Sequence, residues 1–327
     1  MKSLTAAPVE INWHSGLPIF ACGQFLKTVG DEYGWIGGTD DAGRLRCILP
    51  YTVICKPGFR IVRFRIETIP LQAEFDEAEE KSFLNSAVEY FRSAGADMII
   101  PASNTTLFRT YPEGAIAAPY GTFIKNLEQP ADVLWNEVSE AYRKDIRRAT
   151  KAGAQIQEGI QYLETAYTLT ADTLKRSGSK LKSYEEFRSN VRGFGDNVKI
   201  YVAIHQGEVQ ACLVAPFSQH TAYTLYGGTI PQPLKGAMHL LHWEAIRHFH
   251  EMNVKYFNFT GARINPEKGS KQEGIATFKM RFGGRMVQGY MWKYSFHSLK
   301  FAAYSVAFRL LKGGDIVDSE RYKLASQ

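Results

Sequence analysis

GAMHLLHWEAIRHFHEMNVKYFNFTGARINPEKGSKQEGIATFKMRFGG, Gly236 to Gly284, is the stretch on which the fold turns. Met238, Leu241, Ala245, Ile246 and Phe249 recur at helical spacing, Asn253 is a stop, and Val254 to Phe259 reads as a strand. A helix that feeds a strand delivers a loop beyond it. That loop, Thr260 to Gly274, carries Arg263, Lys268 and Lys271 among Gly261, Gly269 and Gly274, and FKMRFGG then sets Lys279 and Arg281 beside Phe278 and Phe282. Lys279 and Arg281 share one face if that run is a strand. Cations on a flexible loop next to an aromatic-flanked pair suit the grip of an anion, above all a phosphate.

Outward from this stretch, the same order of elements appears earlier in the chain. VEYFRSAGADMII, Val88 to Ile100, matches IRHFHEMNVKYFN, Ile246 to Asn258, at a constant offset of 158. Lys199 to Ile204, the turn Gln206 to Glu208, and Val209 to Ala215 before Pro216 likewise repeat Trp35 to Ile36, the turn Asp41 to Gly43, and Leu45 to Leu49 before Pro50. Two copies of one α/β unit account for this, with a chance likeness of two helix-strand units as the alternative. The first copy holds a short helix within Leu17 to Gly30, strands Arg44 to Ile54 and Arg60 to Glu67, and a helix Glu74 to Ala94 that is acidic at its start. Between the copies the pattern predicts one helix, Ala131 to Gly153, then helices Tyr162 to Ser177 and Ser183 to Val191. Pro130 interrupts the chain there, so the expected domains are residues 1–130 and 131–327.

A chain of 327 residues with 45% hydrophobic and 13% aromatic residues can bury two cores. Its formal charge of +6 favours anionic partners but is far from the charge density of a dedicated nucleic-acid binder. Cys22, Cys47, Cys55 and Cys212 show no paired spacing, which predicts a reduced, cytoplasmic setting and neither a metal knuckle nor a disulfide framework. The amino-terminal residues lack an apolar core of signal-peptide length, and no run of 18 apolar residues occurs; the expectation is a soluble protein or one bound at a membrane surface.

Trp243 to Gly284 resembles the Fem family of peptidoglycan interpeptide-bridge transferases, and the wider Fem-like branch of GNAT acyltransferases, in its WEAI helix, its strand ending before a glycine, and its FK and FGG pair. Ser139 to Gly153, SEAYRKDIRRATKAG, resembles the family's basic helix. The resemblance implies an α/β fold of two tandem GNAT-like (acyl-CoA N-acyltransferase-like) domains, mixed sheets flanked by helices. It implies an N-acyltransferase that takes an aminoacyl group from aminoacyl-tRNA to an amine of a cell-wall (peptidoglycan) precursor. Acyl-CoA as donor, with a sugar or amino-acid amine of polysaccharide biosynthesis as acceptor, is the alternative. A non-catalytic module that binds anionic ligands is the second alternative. No permanently bound cofactor is expected. Partners are a phosphorylated small-molecule or lipid-linked acceptor, tRNA, and a peripheral membrane contact.

The resemblance places Lys279 on the FK motif, where the matching lysine contacts the phosphate-bearing substrate or the tRNA end; a solvated strand lysine is the bland alternative. It places Tyr226, at the end of strand Thr221 to Tyr226, beside the acyl donor, where such a strand offers an amide to the oxyanion. In GNAT enzymes that use acyl-CoA a glycine-rich turn at a helix start binds the pyrophosphate. Here only Lys235 and Gly236 remain of such a cradle, which counts against CoA. Asn258 stands where Fem relatives often show an acidic residue. Arg263, Lys271 and Arg281 are substrate anchors in this reading, and Arg143 and Arg147 neutralise RNA or nucleotide phosphates; a solvated basic face is the equal alternative. Glu244 serves as a base if it faces the cleft and is otherwise a helix-surface glutamate. His239, His242 and His250 lack a carboxylate that completes a ligand set, so no metal is expected. Leu299 to Leu311 is apolar nearly all round and is expected to dock on the second domain, with a membrane contact through Arg309 and Lys312 as the alternative.

Overall fold

The structure, a computed structural model, describes residues 3–103, 105–312 and 314–325. The first half contains β1 (Thr5–Val9), α1 (Gly23–Val29), β2 (Glu32–Thr39), β3 (Leu45–Lys56), β4 (Phe59–Phe64), β5 (Ile69–Pro70), α2 (Glu77–Ser93), β6 (Met98–Ile99) and β7 (Ile116–Asn126). Neighbours from β1 to β4 pair antiparallel, and β4 then lies parallel to β6 because α2 crosses between them. Asp76 closes a capping box with Glu79 at the start of α2, and Phe83, Leu84, Ala87, Val88 and Phe91 bury its inner face.

The second half repeats this plan. After α3 (Ala131–Glu137) and α4 (Glu140–Lys151) come β8 (Gln155–Glu158), α5 (Leu163–Arg176), α6 (Tyr184–Arg192), β9 (Val198–His205), β10 (Glu208–Pro216), β11 (Thr221–Tyr223), β12 (Tyr226–Thr229), α7 (Ala237–Glu251), β13 (Tyr256–Ala262), α8 (Lys271–Arg281) and β14 (Arg285–Ser295). Helices α9 (Ser298–Lys312) and α10 (Ile316–Ala325) follow. β8, β9, β10 and β12 pair antiparallel in turn, and β11 lies parallel to β13 with α7 as the crossover. The two helix-strand units aligned by sequence, α2–β6 and α7–β13, therefore occupy equivalent places. Asn253 ends α7 in the left-handed region, at φ 57°, as its place in the pattern predicts.

The units exchange their last strands. The end of β14 pairs with β6, β7 pairs with β13, and β7 and β14 pair with each other from Ile116–Lys293 to Ile124–Arg285. One sheet thus runs from β1 to β11, and residues 116–126, on the amino-terminal side of Pro130, complete the sheet of the second half.

Three expectations change. The helix expected over Ala131 to Gly153 is two, because Val138 is extended and fully buried and the Ser139 amide donates to the Arg281 carbonyl at 2.8 Å. FKMRFGG is no strand: it ends α8, which Ser270 caps and Gly283 terminates at φ 81°. Two helical steps turn Lys279 and Arg281 about 200° apart, so they do not share a face. Finally, α9 docks through Phe301 and Tyr304 on Ile61, Met98 and Ile100 of the first unit rather than on the second, because β14 has already carried the chain across. Its outer face leaves Leu299, Val306 and Leu310 exposed; the Lys312 side chain lies outside the described residues.

Candidate acyl-transfer site

The second unit departs from the first where Thr221 to Thr229 splits into β11 and β12. The Thr224 amide donates to the Asn258 carbonyl at 3.0 Å, and the next amide, Leu225, turns away to Val214 of β10, also at 3.0 Å. Beyond that point β12 and β13 part. Opposite the parting, β13 bulges: its register with β7 shifts between Asn258 and Gly261, and Thr260 sits at φ 63°, a left-handed conformation that costs a β-branched residue about 1–2 kcal/mol.

Side chains pin this bulge. Asn258 Oδ1 accepts from the Thr260 amide at 2.7 Å and from Thr122 Oγ1 at 2.7 Å. Lys279 Nζ donates to the Thr260 carbonyl at 3.0 Å and to the Gly261 carbonyl at 2.7 Å. Lys279 is only 8% exposed, and burial pushes its pKa down to about 8. Nearby His242 is also buried; its Nδ1–H donates to the Met238 carbonyl, and burial pushes its pKa down to about 4, leaving it uncharged. The ammonium is therefore held by the carbonyl dipoles of the β13 bulge.

The amino end of α7 is filled. Gly236 sits at φ 91°, and a Cβ there would lie 2.1 Å from the Asp145 carbonyl of α4. Tyr142 of α4 rests on His239 with ring centroids 4.1 Å apart, and Lys235 reaches to 4.0 Å of the Asp145 carboxylate. The backbone of α4 is thus packed against the start of α7, while the Asp145 carboxylate lies between Lys235 and Arg148, 3.5 Å from the latter. Part of the basic face of α4 is spent locally. Arg143 donates to the Asn136 carbonyl at 3.3 Å, Arg147 lies over Trp135, and Arg281 lies over Tyr142 at 5.7 Å.

On the other side of β12 a groove of about 640 Å³ runs between α6 and strands β3 and β4. Lys56, Arg63, Arg65 and Lys182 line it, with Asp31, Glu185 and Glu186 on the same walls. Arg65 donates to Thr52 Oγ1 and the Val29 carbonyl, neutral acceptors; burial, with the charge of Arg63 adding to it, pushes its pKa down to about 9. Burial and then the charge of Arg65 lower Lys182, while Glu186 opposes them. The Lys182 ammonium lies 6.0 Å from the centre of the Tyr226 ring, and buried Arg63 Nε has no partner in the structure. Four cations against three carboxylates leave the groove with a small excess of positive charge.

The remaining candidates lie elsewhere. Glu244 is held by Arg247 at 2.7 Å on α7. Arg263 pairs with Glu320 at 2.6 Å beside a cavity of about 620 Å³ under α10, and Lys271 is the exposed first residue of α8. Among the described residues no group of three or more His, Cys, Asp or Glu is placed to hold a metal, and no helix is long and apolar enough to cross a membrane. Sequence reading missed the groove cations and Asp145. Arg63 and Arg65 did carry a signal, since alternate strand residues share a face.

Residues 138–280 match the model of the acetyltransferase (GNAT) domain family. Over the whole chain the fold is similar to that of FemX, at 13% identity and a TM-score of 0.66, covering 86% of this chain and 92% of that one. It is also similar to the C-terminal domain of a putative lysylphosphatidylglycerol synthetase from Agrobacterium fabrum, at 13% identity, a TM-score of 0.52, and 90% and 94% coverage. L-PGS from Bacillus licheniformis gives 13%, 0.51, and 88% and 91%. No curated protein matches the sequence itself. Residues 138–280 thus carry the match to the GNAT acetyltransferase domain, and the whole chain has a fold similar to that of FemX, in which two α/β units repeat one plan.

Proposed function

We propose that this acyltransferase moves an aminoacyl group from aminoacyl-tRNA to an amine on a phosphate-bearing cell-wall or lipid-linked acceptor. The observation that carries the choice of donor is the stoppered amino end of α7. A CoA pyrophosphate placed there would meet the Asp145 backbone packed on Gly236, and the cradle has no further glycine to open it. The donor end then enters at the split of β12 from β13, where Lys279 supplies the positive charge for the developing oxyanion, while the Tyr226 ring packs on Phe187 of α6, on the groove side. The basic groove beside Tyr226 takes the acceptor's phosphates. Similarity to FemX and to proteins named for lysylphosphatidylglycerol synthesis supports a phosphate-bearing acceptor. The exposed apolar side chains of α9, a helix with three basic and no acidic residues, suit a peripheral contact with an anionic membrane carrying a lipid-linked acceptor.

The test offers the purified protein aminoacyl-tRNA or acetyl-CoA together with a diphosphate-linked amino-acceptor, and follows the acceptor's mass. Gain of an aminoacyl residue from tRNA is expected. An acetyl gain from CoA would replace this donor with the other. Lys182→Ala is expected to raise the KM for the acceptor about tenfold with kcat little changed, because it removes a contact made equally in ground and transition states. In the wild type, inorganic pyrophosphate should raise the Tm; in Lys182→Ala that shift should largely vanish.

A further inference from the structure

A cavity of about 310 Å³ lies between the two units, walled by Leu17, Ile69, Leu107, Phe108 and Val287, with Glu67 among its lining residues. Among the described residues Glu67 accepts from main chain alone: its own amide and that of Leu107, whose N lies 3.4 Å from Oε2. The groups facing it are accounted for. Arg109 is drawn to Glu80, at 3.7 Å from its carboxylate and with its own amide donating to Glu80 Oε2 at 2.9 Å. His220, also on the cavity wall, engages Thr221 Oγ1 at 2.8 Å and has its pKa lowered by burial. Tyr223 is buried and feels the charge of Glu67. Tyr223, the residue before Thr224, belongs to the same buried cluster as Leu17, Ile66 and Ile69 of the cavity wall.

We infer that this cavity holds the nucleophilic primary amine of the acceptor and that Glu67 is the base that takes its proton. The apolar walls suit the carbon stem of such an amine, and a carboxylate without a direct cationic partner suits an ammonium. In the step, an ammonium proton passes to Glu67. The freed amine forms a bond to the acyl carbon, the donor ester C–O bond breaks with its electron pair leaving on oxygen, and that oxygen takes the second proton from nitrogen. Desolvation, with the charge of Glu80 adding to it, pushes the Glu67 pKa up to about 7, near the working range of a general base.

The inference rests on the acyltransfer reading, and the experiment separates the two. With Glu67→Gln, kcat should fall about 100-fold, and the acid limb of the pH–rate profile near 7 should give way to a rate that climbs about tenfold per pH unit as free amine accumulates. Glu67→Asp should recover part of the rate. A Glu67→Gln enzyme with wild-type kcat and an unchanged acid limb would overturn the inference. If the wild type transfers from neither donor, the functional reading fails, and n-butylamine titrated into both proteins decides this site alone. Binding to wild type above pH 7 that is absent in Glu67→Gln upholds the amine pocket; equal binding, or none to either, removes it.

Discussion

Lys279→Ala should lower kcat by about 10²–10³-fold, the scale on which loss of one preorganised oxyanion donor acts. The same change should cost stability, since the Thr260 and Gly261 carbonyls lose their donor, and a buried acceptor left alone costs about 1–3 kcal/mol. Lys279→Arg should not restore the rate, because a planar guanidinium cannot replace a compact ammonium between two carbonyls in a site that is 8% exposed. Stopped assays beside urea denaturation separate the two losses. The pH dependence gives a sharper check. Burial holds the Lys279 pKa at about 8 against 10.5 in the unfolded chain, so between those values the unfolded chain binds more protons and this group makes stability rise with pH. Activity that needs the ammonium falls as pH passes 8. Opposite trends of stability and rate above pH 8, both absent in Lys279→Met, are the expected signature; a rate that keeps rising to pH 10 would remove the cationic role.

Gly236→Ala should be among the most damaging single methyl additions in the chain. The residue sits at φ 91°, and the new Cβ would fall 2.1 Å from a backbone carbonyl that cannot swing aside. Strain and overlap together should cost about 3–4 kcal/mol and lower Tm by about 8–12 °C. Gly269→Ala is the control: its φ is 76°, but no atom lies within 4 Å of the added methyl, so only the conformational cost of about 1 kcal/mol remains. Differential scanning fluorimetry of the two variants reads the difference. Equal shifts would mean that α4 is not pressed on the start of α7, and the argument against CoA would go with it.

Local signals made much of the fold legible. The 158-residue offset between Val88–Ile100 and Ile246–Asn258 located both crossover helices and the strands they feed, because burial of one helix face writes a 3.6-residue period into the chain. Asn253 marked a helix end for an equally local reason, its tolerance of positive φ. FKMRFGG was misread as a strand because an eleven-residue helix with little amphipathic contrast resembles an extended run of alternating cations and aromatics.

The amino-acid order by itself determined the two α/β units and most of their helices and strands. Tertiary structure alone decided what the site residues touch: that β7 and β14 change units, that Asp145 of α4 fills the start of α7, that Lys279 straps a bulge, and that Glu67 faces a cavity across from the second unit. The physical reason is range. Helix and strand periods arise between residues a few positions apart, whereas desolvation and ion pairing depend on whichever distant segment closes over a group, and no local pattern records that.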